Sequence, residues 1–188
     1  MNYPIDISQK QIQTQRLVLR PWKESDLEDF YSYASVDGVG QMAGWLPHKD
    51  REESKMILQM FMDGKKTFAL EYEGTVIGSL GVEKYKEEKF PEFADKKVRE
   101  LGFVLAKDYW GKGLMAEAVD AVIRYLFEEE GLDLIMCGHY TDNAQSARVQ
   151  EKCGFKHYRI EQAETRFGTR KDVWYSVLYR QDSAENKL

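Results

Sequence analysis

The stretch FVLAKDYWGKGLMAEAVDAVIRYLF, Phe103 to Phe127, decides how the rest of the chain is read. Its apolar start reads as the end of a strand, and the pattern breaks at Gly111-Lys112-Gly113. Beyond the break, Met115, Ala118, Val119, Val122, Ile123 and Leu126 fall on one face of an amphipathic helix that Gly131 closes. A strand that turns through glycines straight into a helix leaves the N–H groups of the first helical turn unpaired. Those donors and the positive end of the helix dipole favour an anion. Glycines remove the Cβ that would hold a phosphate off the backbone, and Lys112 adds a positive charge.

Upstream, RLVLRPW (Arg16 to Trp22) alternates as a strand does. Ser25 with Glu28 is a capping-box pattern ahead of a helical stripe at Leu27, Phe30, Tyr31 and Ala34. Asp50 with Glu53 caps a second helix, in which Met56, Ile57, Met60 and Phe61 form the apolar face and Gly64 the stop. KTFALEYEGTVIGSLGVEKY is two strands about a tight turn at Glu73-Gly74, and KEEKFPEFADKK is a charged loop. A strand runs from Val98 to Ala106 into the glycine turn. Downstream, LDLIMCGHY is a strand, and Ala144 to Cys153 is a short helix with Asn143 as its N-cap. Strands near 155–160 and 172–180 pair through the turn FGTR. The order predicts a three-layer α/β domain with a mixed sheet.

The chain has 188 residues, 43% of them hydrophobic and 31% charged, which suits a single domain over 1–188. Its core is expected over about 14–180, with short flexible tails at both ends. The formal net charge of -5 and scattered lysines and arginines argue against a nucleic-acid binder. The first fifteen residues lack a signal-peptide pattern and no apolar run spans a bilayer, so a soluble, cytoplasmic protein without a membrane partner is expected. Cys137 and Cys153 have no zinc or redox spacing and read as buried apolar residues, and no metal cluster is visible.

Gly111 to Ala116 fits G-x-G-x-x-A, but that dinucleotide fingerprint belongs in the first unit of a doubly wound domain, and here an antiparallel region precedes it. The pattern G-x-x-x-x-G-K-[ST] fails because glycine follows Lys112. Trp110 to Met115 instead resembles the Gln/Arg-x-x-Gly-x-Gly/Ala loop of the GCN5-related N-acetyltransferases (GNAT). YWGKG followed by EA is similar to the RimJ/RimL branch of ribosomal-protein N-terminal acetyltransferases. NAQSARVQEKCGF (Asn143 to Phe155), the opening TQRLVLRPWKESD and the GWLPH loop resemble the same branch. Trp110 stands where the wider superfamily has Gln or Arg, and Met115 where Gly or Ala is usual.

The resemblance implies a GNAT fold, with a mixed, mostly antiparallel sheet splayed at the cofactor site. It implies acetyl-CoA as cosubstrate, its pyrophosphate on Gly111, Lys112, Gly113, Leu114, Met115 and Ala116. It implies a pantetheine arm paired along Phe103, Val104 and Leu105 and touched by Asn143. The acceptor would be an amine, either a protein N-terminus or a small molecule, attacking directly. Such a reaction needs a base for the amine and a donor for the departing sulfur. Ser146 stands where the branch has a serine that can donate to sulfur, and Gln150 where many members have a tyrosine acid. Glu100 shares a strand face with Gly102 and Val104, where small neighbours leave room for a substrate, and is a candidate base. Tyr140 and His139 are further candidates, and Cys137 as an acetyl carrier is disfavoured. QMAGWLPH and Phe90 to Lys97 are expected to line the acceptor side. A non-catalytic CoA-binding module stays open as an alternative, as do a monomer and a homodimer.

Overall fold

The computed structural model describes residues 1–185. Along the chain run β1 (Ile12–Gln13), β2 (Leu17–Pro21), α1 (Leu27–Ala34), α2 (Arg51–Gly64), β3 (Thr67–Tyr72), β4 (Thr75–Glu83) and β5 (Val98–Leu105). Then come α3 (Leu114–Glu128), β6 (Leu134–Tyr140), α4 (Ala144–Lys152), β7 (Lys156–Glu164), β8 (Arg170–Tyr179) and α5 (Arg180–Glu185). The eight strands form one open mixed sheet in the order β1-β2-β3-β4-β5-β6-β8-β7. α3 and α4 pack on one face, while α1, α2 and the segment 86–97 cover the other.

Local chemistry explains most boundaries. Glu73 (φ 50°) and Gly74 (φ 82°) both lie in the left-handed region, as a two-residue hairpin turn requires. The Asp50 side chain accepts from Glu53 N at 2.9 Å, and Glu53 accepts from Lys49 N at 2.7 Å, so α2 starts where the cap pattern placed it. Leu114, Val119, Val122 and Leu126 of α3 are almost fully buried, each contributing about 1.5–3 kcal/mol of transfer free energy.

Four expectations are corrected. Ser25 and Glu28 form no box: Asp26 accepts from Lys23 N at 2.8 Å and is held by the Arg20 guanidinium, while Glu28 pairs with Arg51. On α2 the inward residues are Ser54, Ile57, Leu58 and Phe61, and Met56 and Met60 are each 59% exposed. The charged segment 86–97 buries Phe90 and Phe93 against β6 and β8. Residues 1–13 do not trail: Ile7 is buried, and Asn2 bridges to Val98. The expected C-terminal tail, beyond about 180, begins within α5 (Arg180–Glu185), and residues 186–188 lie outside the described residues.

One junction positions the site. β5 and β6 are the parallel pair of the sheet, and their pairing runs from Val98↔Leu134 to Leu101↔Cys137. Beyond it β5 continues to Leu105 and β6 to Tyr140 without partnering each other. The strands therefore part in the middle of the sheet.

Candidate active site

The parting of β5 and β6 opens into a cavity of about 520 Å³. Backbone direction follows from three bonds. Leu101 O accepts from Cys137 Sγ (3.3 Å), Leu105 O accepts from Trp110 Nε1 (2.7 Å), and Ala106 N donates to Ile77 O (2.8 Å). Odd-numbered residues of β5 thus turn their polar groups toward the gap, and even-numbered ones toward β4. The gap side carries Phe103 N–H and C=O and Leu105 N–H, while Leu105 C=O is taken by the indole. Val104 turns its backbone to β4 and contributes only its side chain to the cavity.

At the end of β5 the chain reaches Gly111 (φ 75°) and Gly113 (φ 77°), both in the left-handed conformation that side chains other than glycine adopt at a cost. The first bond within α3 is Glu117 N to Gly113 O at 3.1 Å, and Gly113 supplies no side-chain cap. The N–H groups of Leu114, Met115 and Ala116 therefore face the cavity as open donors, with the helix dipole behind them. Arg16 holds the loop from outside, donating from Nη1 to Lys112 O (2.9 Å) and from Nε to Glu117 (2.7 Å). Met115 is only 6% exposed and packs into the core, so its size leaves the loop backbone clear.

Lys112 departs from expectation. Its Nζ lies over the Tyr109 ring, 5.0 Å from the centroid, and the side chain does not line the cavity. The basic residues that do are Arg148 and Lys152 on α4. Their i, i+4 spacing puts them on one helical face, a signal the sequence contained but to which no role was given.

Asn143, Ser146 and Tyr140 come together where β6 passes into α4, and all three line the cavity. Asn143 Oδ1 caps the helix by accepting from Ser146 N (3.1 Å), and Nδ2 reaches Met42 O (3.4 Å). Ser146 Oγ accepts from Gln150 Nε2 (3.4 Å), and Gln150 Oε1 lies 3.2 Å from His139 Nδ1. Burial raises the Tyr140 hydroxyl, with Lys171 opposing the shift from above the ring. Cys137 is buried and its thiol is pushed well up by burial, which leaves it no nucleophilic thiolate.

Glu100 lies on the opposite sheet face from α3, directly across from Glu83 on β4. Glu100 is partly buried beside the cavity, and burial pushes its carboxyl group up to about 7; Lys86 opposes the shift and Glu83 adds to it. Glu83 is itself paired with Lys66. A Cβ on the neighbouring Gly102 would meet nothing within 4 Å, so the floor beside Glu100 is open. Around it stand Val39, Met42 and Ala43 from one side and Tyr140, Val173 and Tyr175 from the other. The Phe90 to Lys97 segment stays out of the cavity, and the β7–β8 hairpin supplies Ala163, Val173 and Tyr175 in its place. Alternation along β8 puts Val173 and Tyr175 on one face, but nothing in the sequence fixed which face met the site.

Among the described residues no group of His, Cys, Asp or Glu is arranged to hold a metal ion, and no helix is long and apolar enough to cross a membrane.

A family model described as acetyltransferase (GNAT) domain matches residues 16–156. The chain is 28% identical over 153 residues to a Bacillus subtilis protein named uncharacterized N-acetyltransferase YoaA, covering 77% of this chain and 82% of that one. A crystal structure of a GNAT-family acetyltransferase from Bacillus anthracis superposes with a TM-score of 0.79 at 24% identity, over 92% of this chain and 99% of that chain. The ribosomal-protein-S5-alanine acetyltransferase of Vibrio fischeri superposes with a TM-score of 0.70 at 21% identity, over 92% and 98% of the two chains.

Proposed function

The chain belongs to the acetyltransferase (GNAT) family and is an acetyl-CoA-dependent acetyltransferase, and on that premise we propose that it transfers acetyl to a primary amine by direct attack. The observation that carries this reading is the junction of two features: a sheet that parts after Leu101 and Cys137, and an uncapped helix start with two left-handed glycines at the end of the same strand. An extended ligand with a phosphorylated end fits both. The open donors of Gly111 to Ala116 suit a pyrophosphate, and Phe103 and Leu105 suit an amide-bearing arm. Asn143 Nδ2 would exchange its long contact with Met42 for that arm. Lys112 serves through its backbone, and Arg148 and Lys152 bring the positive charge.

Once bound, acetyl-CoA supplies the acyl group and a thiolate leaving group. Glu100 takes the proton that the amine loses as its nitrogen bonds to the acyl carbon. Ser146 donates a hydrogen bond to the sulfur as the C–S bond breaks, and the thiolate then takes its proton from water. Tyr140 walls the acceptor end. The described lining of the cavity carries one carboxyl group, Glu100, and its arginine and lysine, Arg148 and Lys152, both stand on α4. We infer an acceptor with a primary amine and no carboxylate beside it: a protein N-terminus or a small cationic amine.

The test is an acceptor panel of peptides with free N-termini, diamines and free amino acids, read as free thiol released from acetyl-CoA. Turnover of peptides or diamines but not of amino acids supports the reading. Tight CoA binding with no turnover across the panel would make the chain a CoA-binding module instead.

A further inference from the structure

We propose that Gln150 and His139 are positioning residues that aim the Ser146 hydroxyl proton at the departing sulfur. This rests on the role given to Ser146 above. Gln150 lies one helical turn after Ser146 on α4 and is 2% exposed, and His139 on β6 is 8% exposed. Two polar side chains so buried need defined partners. They form a chain: His139 Nδ1 to Gln150 Oε1 at 3.2 Å, and Gln150 Nε2 to Ser146 Oγ at 3.4 Å.

The direction of that chain decides what the serine can do. A hydroxyl has one proton to give and two lone pairs to receive. With the Gln150 amide N–H donating to Oγ, the serine proton is left for a group in the cavity, which Ser146 lines. With the amide reversed, Oε1 would capture that proton inside the protein. Burial disfavours a second proton on His139, so the ring carries a single N–H. With that N–H on Nδ1 it donates to Gln150 Oε1 and the amide keeps its own N–H toward Ser146; with it on Nε2 the reversed amide would fit as well, so the proposed aim requires the Nδ1 tautomer.

The experiment is a double-mutant cycle on the full chain, with acetyl-CoA affinity by calorimetry and kcat measured where chemistry is rate-limiting. Gln150→Glu keeps the shape, keeps an oxygen toward His139 and puts a second oxygen on Ser146. It is expected to lower kcat by about 10- to 100-fold, within the contribution of one positioned proton donor, with the acetyl-CoA Kd unchanged. In a Ser146→Ala background the same change is expected to alter kcat less than about twofold, because its target is gone. Gln150→Met, which buries no charge, gives the same cycle with a smaller first effect should the glutamate variant fold poorly. His139→Leu is expected to lower kcat, and His139→Asn, whose amide can place an N–H near the same point, to recover part of the loss. Equal losses with and without the Ser146 hydroxyl would overturn the proposal and leave Gln150 a packing residue. A loss in Ser146→Ala with none in Gln150→Glu or Gln150→Met would overturn it while sparing Ser146. A fully active Ser146→Ala enzyme would sink both.

Discussion

Replacing Glu100 by glutamine should make the protein less active and, at alkaline pH, more stable. Its carboxyl group has an ordinary value of 4.5 and is pushed up to about 7 by burial. At about 1.4 kcal/mol per pH unit, that rise is on the order of 3 kcal/mol. Below about 4.5 the group is protonated in both the folded and unfolded chain and costs nothing. Above about 7 it is ionised in both, and the folded state carries the full penalty. The penalty therefore grows as pH rises between those values, and Glu100→Gln removes it. At about 2–4 °C per kcal/mol for a chain of this size, the variant should melt on the order of 6–12 °C above the wild type at pH 8.5 and close to it at pH 4.5. Activity should move the other way. Wild-type kcat/KM should rise with pH through about 7 as the base ionises, and Glu100→Gln should lose that limb while keeping the later rise set by the amine itself. The assays are thermal melts across pH 4.5–8.5 and thiol release over the same range. A melting difference that stays flat with pH would mean that the group titrates as an exposed carboxylate, and the burial argued to raise it would be wrong.

Three further outcomes follow from the geometry. Gly113→Val places a branched side chain at φ 77° beside the open donors of α3, and should weaken CoA binding by about tenfold or more while cooperative melting persists; unchanged affinity would remove the anion site. Gly102→Val projects into open space on a strand, so it should fold as well as wild type yet raise the acceptor KM by roughly tenfold with acetyl-CoA affinity unchanged; an unaltered KM would show that acceptors do not cross that floor. Asp26→Ala removes the bidentate partner of buried Arg20, leaving Glu71 alone, and should cost about 3 kcal/mol of stability by denaturant titration; a loss below about 1 kcal/mol would reduce the pair to a surface bridge.

The strand, glycine turn and helix from Val98 to Glu128 were legible because period and punctuation agreed there, as they did at Glu73-Gly74 and at Asp50. Where hydrophobicity alone chose a face it erred. On α2 Met56 and Met60 count as apolar but tolerate solvent, while Ser54 is drawn inward by its 2.7 Å contact with His48 Nδ1. Charge hid structure in 86–97, whose acids and lysines masked the two buried phenylalanines. At the candidate site, most residues named from the motifs line the cavity. Gln150, Tyr175 and the basic pair on α4 were not given roles, because their part depends on which elements the fold brings opposite one another.

The unpartnered backbone at Phe103 has a bearing on colloidal behaviour. A bare strand edge invites other polypeptides to add to it, which is how many sheet proteins clump. Here the edge lies inside the sheet, with β6 beyond it, α3 and α4 on one side and the 39–43 segment on the other. A neighbouring chain would have to insert between β5 and β6 rather than add along an outer edge, whereas a slender amide-bearing arm needs no such rearrangement. The slot thus keeps a sticky surface available to a small guest while withdrawing it from the outer edges at which sheets join.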